Sequence, residues 1–205
     1  MILRRQSKKN FMSKHLEIEI RGPLKYGDEK KILGLENLLK KNQNKQLVVF
    51  IKQLEKQDFR IKCNQSVPYI EFIQKKKKYD SYHTHDEISF KIKKEEFQNF
   101  LKILSCFGID KGFYSSSERI DLFFEDIIFS IKKGAVIGDY WEAEASDKLL
   151  SKIKIKNRVL KYLYDKVNSL GLYVWTEKEF KEHKNSSWNN IKAKPLSIIC
   201  QKYLK

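Results

Sequence analysis

Apolar and charged residues alternate along most of this chain with a period of two. In His15-Leu16-Glu17-Ile18-Glu19-Ile20-Arg21, Ile18 and Ile20 oppose Glu17, Glu19 and Arg21; further on, Ile88, Phe90 and Ile92 oppose Glu87, Ser89, Lys91 and Lys93. Successive side chains of a strand point to opposite faces, so each run predicts a strand with one apolar and one charged face. Eight strands are expected, at 14–21, 45–55, 59–63, 69–77, 87–93, 113–124, 127–132 and 138–145, with Gly22-Pro23 ending the first.

Helical spacing interrupts the alternation in four places. Residues 28–41 offer Asp28 as a cap and Ile32, Leu35, Leu38 and Leu39 along one side; 95–106 carries Phe97, Phe100, Leu101 and Leu104, followed by Gly108 as a stop. One long helix is expected from Ser146 or Asp147 to about Gly171, with Leu149, Leu150, Ile153, Leu160, Leu163 and Val167 on its buried side. A short helix at 176–183 precedes a basic tail.

A charged strand face has two destinations. In an ordinary half-buried sheet it meets water. Alternatively, about eight antiparallel strands close into a barrel, with the charged faces around a wet lumen and helices covering the apolar outside. The pattern leaves both open. Residues 1–13 read as a flexible basic extension, in which Met12 is a candidate natural start, 14–184 as the domain of strands and helices and 185–205 as a basic C-terminal tail.

Composition narrows the function. The chain has 205 residues, and 42 Lys and Arg against 26 Asp and Glu give a net charge of +16, which points to a polyanionic partner. A hydrophobic content of 41% excludes global disorder. Cys63, Cys106 and Cys200 have no ligand or paired spacing, and no stretch reaches the ~18 apolar residues of a membrane span. A cytoplasmic protein without a membrane partner is expected.

The chemistry concentrates in two acidic pairs, Glu17/Glu19 and Glu142/Glu144, each on one face of a predicted strand. Four carboxylates brought together repel unless a hard divalent cation sits among them, and oxygen ligands suit Mg²⁺ or Mn²⁺. Glu87 shares the charged parity of its strand, either completing the metal shell, orienting a lysine or forming a surface salt bridge. His83-Thr84-His85 has a spacing that suits a metal, but its polar surroundings read as a loop.

These pieces resemble the CYTH, or triphosphate tunnel metalloenzyme, family, which includes class IV adenylyl cyclases, thiamine triphosphatases and inorganic triphosphatases. Glu17-Ile18-Glu19-Ile20-Arg21 is similar to the opening Glu-x-Glu-x-Lys of that family, and Gly138, Tyr140, Glu142 and Glu144 to its late Gly, aromatic and Glu-x-Glu signature. Phe59-Arg60-Ile61-Lys62 resembles the basic Arg-x-Arg strand, and Phe72-Ile73-Gln74-Lys75 the strand that delivers a phosphate-binding lysine. Thr176-Glu177-Lys178-Glu179-Phe180 is similar to a late Thr-x-Lys-Ser-Tyr segment. The resemblance covers residues 15–182. It implies the class α+β, an eight-stranded antiparallel β-barrel, or tunnel, with helices packed outside. It also implies a metal set of Glu17, Glu19, Glu142 and Glu144 and a phosphate set of Arg21, Arg60, Lys62, Lys75, Arg119 and Lys178. Lys77 joins by strand parity.

Two departures bear on activity. Lys132 stands where the family carries an Asp, and a cation there either repels a second metal ion or grips phosphate. Only Arg119 is basic in Ser117-Glu118-Arg119, where the family has a Lys-x-Arg pair. The resemblance implies metal-dependent binding and hydrolysis of a nucleoside, thiamine or inorganic triphosphate. The alternatives are a cyclase making cyclic AMP from ATP and a non-catalytic protein binding polyphosphate or RNA.

Overall fold

The computed structural model describes residues 12–35, 38–78 and 81–201; of the extension expected at 1–13, residues 1–11 lie outside the described residues, as do 202–205, while residues 12 and 13 open the first strand. Eight strands follow the alternating runs: β1 (Met12–Pro23), β2 (Leu38–Ile51), β3 (Phe59–Asn64), β4 (Tyr69–Lys78), β5 (Ser81–Lys93), β6 (Lys111–Phe124), β7 (Ile127–Lys133) and β8 (Tyr140–Ala145). They hydrogen-bond in the order β2-β3-β4-β5-β1-β8-β7-β6, and β6 pairs back onto β2 to close an antiparallel barrel. Closure leaves these strands without an open edge.

The apolar parity of each strand faces outward under helices, in two separate coats. Ile18, Ile20, Leu122, Phe129, Ile131 and Trp141 pack against α1 (Asp28–Leu33), α3 (Asp147–Lys152) and α4 (Lys156–Ser169) through Ile32, Leu149, Val159, Leu163 and Val167. Leu47, Val49, Ile61, Cys63 and Ile70 pack against α2 (Phe97–Cys106) and α6 (Leu196–Cys200) through Phe97, Leu101, Leu104, Leu196 and Ile199. The segment expected to be a tail thus supplies part of the second coat. Its two-residue strand β9 (Lys194–Pro195) pairs with the start of β6, and residues 185–188 complete α5 (Glu177–Trp188). Among the described residues, no helix is long and apolar enough to cross a membrane.

Three sequence expectations need correction. The helix expected over 28–41 stops at Leu33, and Leu38–Ile51 is a strand. Gly34 caps the short helix, and pairing with β6 from Leu38 to Ile51, irregular only between Leu38 and Lys40, overrides the helical spacing of the leucines. The strand expected to reach residue 55 ends at Ile51 and gives way to a 3-10 turn, Lys52–Gln57. The long helix after β8 is two: Ser146 Oγ accepts from the Leu149 amide at 3.2 Å to cap α3, then Ile153 and Ile155 turn extended before α4 begins. Two β-branched residues flanking one lysine favour that extended break.

Gly22 shows how closely the outer layer sits. A Cβ built there would lie 1.9 Å from the carbonyl oxygen of Tyr173 and 2.7 Å from the indole of Trp141, its neighbour across the β1–β8 ladder. Gly22→Ala should therefore separate the barrel from the segment after α4. The expected cost is on the order of 1–3 kcal/mol, read as a lower urea midpoint at unchanged slope.

Candidate metal and phosphate site in the barrel lumen

The other parity of every strand faces inward, around a cavity of about 490 Å³. Ten Lys and Arg side chains and seven carboxylates line it, so the lumen is net positive. Glu17, Glu19, Arg21, Arg60, Lys62, Lys75, Lys77, Arg119, Lys132, Glu142 and Glu144 all reach it.

Each buried carboxylate is handled differently. Lys75 Nζ donates to both oxygens of Glu17, at 2.6 and 2.5 Å. Burial works against the charge on Glu17, but Lys75 outweighs it and holds the group at about 2. Glu19 is paired with Arg21. Lys132 Nζ lies 2.5 Å from Glu142, and although burial opposes ionisation there, Lys132 and Arg21 keep Glu142 well below the usual carboxylate range. Burial likewise lowers Lys132, to about 8. Glu144 has no cation within ion-pair distance among the described residues; burial, then the charge on Glu17, push it up to about 7. Glu19 and Glu144 sit directly opposite each other on β1 and β8, a like-charge pairing that repels unless a cation intervenes.

A histidine completes this corner. His85 faces Glu17 across the β1–β5 ladder, and one ligand atom from each of Glu17, Glu19 and His85 lies within 4.8 Å of the others. Its Nδ1 is buried without a hydrogen-bond partner, 3.8 Å from Glu17 Oε2. Burial and the nearby Lys75 hold His85 at about 4, which leaves the imidazole neutral and able to ligate at neutral pH. Two carboxylates and a neutral imidazole fit a divalent cation. The cluster differs from the expected metal set, because the second acidic pair lies outside it and Glu142 is engaged by Lys132.

The loop reading of His83-Thr84-His85 is corrected with it. β5 begins at Ser81, so both histidines are on a strand, where residues two apart share a parity, yet only His85 lines the lumen. His83 bonds through Nδ1 to the Glu19 carbonyl and through Nε2 to the Tyr164 hydroxyl, each at 3.0 Å. Extending the period of Glu87, Ser89 and Lys91 upstream by two would have found His85.

Several lumen cations are braced by acids of their own. Asp58 holds the Arg60 guanidinium through two bonds, at 2.7 and 2.6 Å. Asp121 and Ser130 hold Arg119 at 2.6 and 3.0 Å. Lys62 lies 3.6 Å from Glu71, and Lys75 3.4 Å from Glu87. Asp58, Asp121 and Glu71 were not picked out by the sequence reading; each lies on the inward parity or at a strand start, where a charge on a wet outer surface was the competing explanation.

Lys178 is the exception among the expected residues. It lies outside the lining and is 3.9 Å from Glu182, on an exposed face of α5. Thr176 caps that helix reciprocally with Glu179. Counting from the cap, Phe180, Lys184 and Trp188 share the inward face and Lys181 joins them, whereas Lys178 is turned away. The α5 side chains touch several strand ends: Phe180 lies 4.7 Å under the Arg21 guanidinium, Trp188 meets Phe50 edge-on at 5.2 Å, and His183 Nε2 is 2.6 Å from the Ile137 carbonyl. The helix therefore covers one end of the barrel.

No protein-family profile matches the chain, and no curated protein is detectably similar to it in sequence. Solved structures do match. The PH1012 protein of Pyrococcus horikoshii OT3 superimposes with a TM-score of 0.64 at 16% identity, over 80% of this chain and 93% of that one. A protein of Vibrio parahaemolyticus proposed to be an adenylate cyclase matches with a TM-score of 0.56 at 14% identity, over 91% of this chain and 98% of the other. HpAC1 of Hippeastrum, a proposed adenylyl cyclase described as having a dominant triphosphatase activity, matches with a TM-score of 0.53 at 14% identity, over 83% and 95%. The barrel has the triphosphate-tunnel, or CYTH, fold that the sequence motifs resemble.

The isolated position of Glu144 yields a test. Its carboxyl moves from an ordinary 4.5 to about 7, so the folded protein binds a proton more readily than the unfolded chain. Stability is present in full below the lower value and falls as the pH rises toward the upper one. In metal-free buffer Glu144→Gln should be roughly 1–3 kcal/mol more stable than the parent at pH 8 and equal to it near pH 4, by urea denaturation at both.

Proposed function

We propose that the protein binds the triphosphate of a small molecule inside the lumen and hydrolyses it with the help of a divalent cation, Mg²⁺ or Mn²⁺. The observation that carries this reading is the convergence of buried carboxylates and braced cations in one enclosed cavity. A triphosphate carries several charges that repel a nucleophile, and catalysis requires their neutralisation and alignment. Arg21, Arg60, Lys62, Lys75, Lys77, Arg119 and Lys132 bind the phosphate oxygens in this reading, with Lys181 and Lys184 taking the part expected of Lys178. Glu17 and Glu19, with Glu144 beside them, hold the cation. When bound, such a cation supplies Lewis-acid polarisation of phosphate oxygens and lowers the pKa of water. The adenylyl cyclase and triphosphatase descriptions of the similar structures favour this class of chemistry.

The internal ion pairs make binding an exchange. With a cation bound, Glu17 and Glu19 would hold it, and Lys75 and Arg21, their ion-pair partners, would be available to neutralise phosphate. Neither charge is left buried alone, so the exchange avoids the several kcal/mol that a broken buried pair costs. A second reading, binding without turnover, is favoured by one observation: Lys132 occupies Glu142, which removes a carboxylate from metal duty.

Tripolyphosphate, ATP and thiamine triphosphate, each with Mg²⁺ or Mn²⁺, separate the possibilities when released phosphate and cyclic nucleotide are both measured. Metal-dependent phosphate release is expected with at least one. Cyclic AMP with stoichiometric pyrophosphate would select the cyclase, and tight binding without turnover of any of the three would select the binding protein.

Lys132 decides how the site departs from its resemblance. As a phosphate ligand, it makes Lys132→Asp weaken tripolyphosphate binding by roughly tenfold, the worth of a charge-assisted hydrogen bond. Calorimetric titration of parent and variant measures this directly. Tighter binding by the variant would mean that Lys132 only blocks a metal position.

A further inference from the structure

We propose that His85 is a ligand of the lumen's divalent cation, giving it a nitrogen donor beside Glu17 and Glu19 and biasing the site toward Mn²⁺ over Mg²⁺. The inference rests on the reading that the lumen takes a divalent cation, and adds to the expected all-carboxylate site a donor of a different kind.

Three observations converge on His85. The β1–β5 register sets it opposite Glu17, so the backbone ladder fixes its side chain beside the first acidic pair. The three ligand atoms share a space no wider than 4.8 Å, which one cation can span. Nδ1 is buried and lacks a hydrogen-bond partner, and a buried polar atom left unsatisfied is costly unless something binds it. Glu17 at 3.8 Å is too far to satisfy it directly.

The competing occupant of Glu17 has somewhere to go. Lys75 lies 3.4 Å from Glu87 as well as on Glu17, so it can keep a carboxylate partner while Glu17 turns to a cation. The consequence for selectivity follows from ligand chemistry. Mg²⁺ takes oxygen donors and gives up its water reluctantly, whereas imidazole suits transition metals, among which Mn²⁺ also accepts carboxylates. A nitrogen in the shell therefore gains more for Mn²⁺ than for Mg²⁺.

Mn²⁺ binding to the full chain without triphosphate, followed by electron paramagnetic resonance, tests this apart from turnover. Pulsed spectra of the parent should show ¹⁴N modulation from a directly bound imidazole. His15→Gln, which alters the other lumen histidine on β1, should keep it; His85→Gln should lose it, and its Mn²⁺-to-Mg²⁺ affinity ratio should fall at least about tenfold. Labelling the histidine rings of the parent with ¹⁵N gives the same answer without a variant, because the ¹⁴N modulation must then disappear. The proposal is overturned if the parent binds no Mn²⁺, if the modulation survives in the labelled protein or in His85→Gln, or if the ratio is unchanged. Tripolyphosphate binding is titrated in parallel: phosphate binding with no nitrogen at the metal would remove His85 and leave the triphosphate reading standing.

Discussion

Everything in this molecule depends on keeping a set of buried charges mutually neutralised. Isolated charges cannot be buried in a small barrel at acceptable cost, and ion pairs recover that cost only when geometry and extra hydrogen bonds are right. Here Lys75 spans both oxygens of Glu17, Lys132 meets Glu142, and Asp58 grips Arg60 through two bonds. The lumen is thus assembled from preformed pairs. Glu144, lacking such a partner among the described residues, has the carboxyl displaced upward to about 7.

The same alternation that fills the lumen with charge builds the wall that isolates it. Inward charges such as Glu17, Glu19, Lys62 and Glu142 have apolar neighbours in sequence facing out, and the outward apolar side chains are covered by α1, α3 and α4 on one side and by α2 and α6 on the other. A slip of one residue in any ladder would exchange the two sets, placing carboxylates under helices and isoleucines around the cavity. Register is therefore held from both faces at once. The contact of Gly22 with the Tyr173 carbonyl marks where the outer layer allows no side chain at all.

Much of this was legible from period-two patterning, because alternation encodes a local geometry that tertiary contacts reinforce. The strands carrying Glu17, Arg60, Lys75 and Glu142 end within two residues of the expected boundaries, and the barrel is the one of two destinations for their charged faces that the family resemblance implied. The misreadings have physical origins. Leu38 and Leu39 stand at helical spacing from Ile32 and Leu35, yet pairing with β6 claims their segment, a long-range contact that local spacing cannot reveal. Lys178 was placed by motif similarity alone, whereas the direction of a helical side chain depends on the turn at which the helix starts, which the Thr176 cap determines. His85 was hidden by its polar surroundings.

The position of α5 has a consequence for shape selectivity. With Phe180, Lys184 and Trp188 turned into the cavity, and the helix braced against the ends of several strands, the barrel is a sack rather than a pipe. In the proposed function, a compact anion would have to enter and its products leave by a route other than the α5 end. A long polymer such as polyphosphate or RNA could present only its terminus, since threading through would require α5 to swing aside. On the proposed function, the fold would thus read chain ends and be blind to whatever extends beyond its mouth.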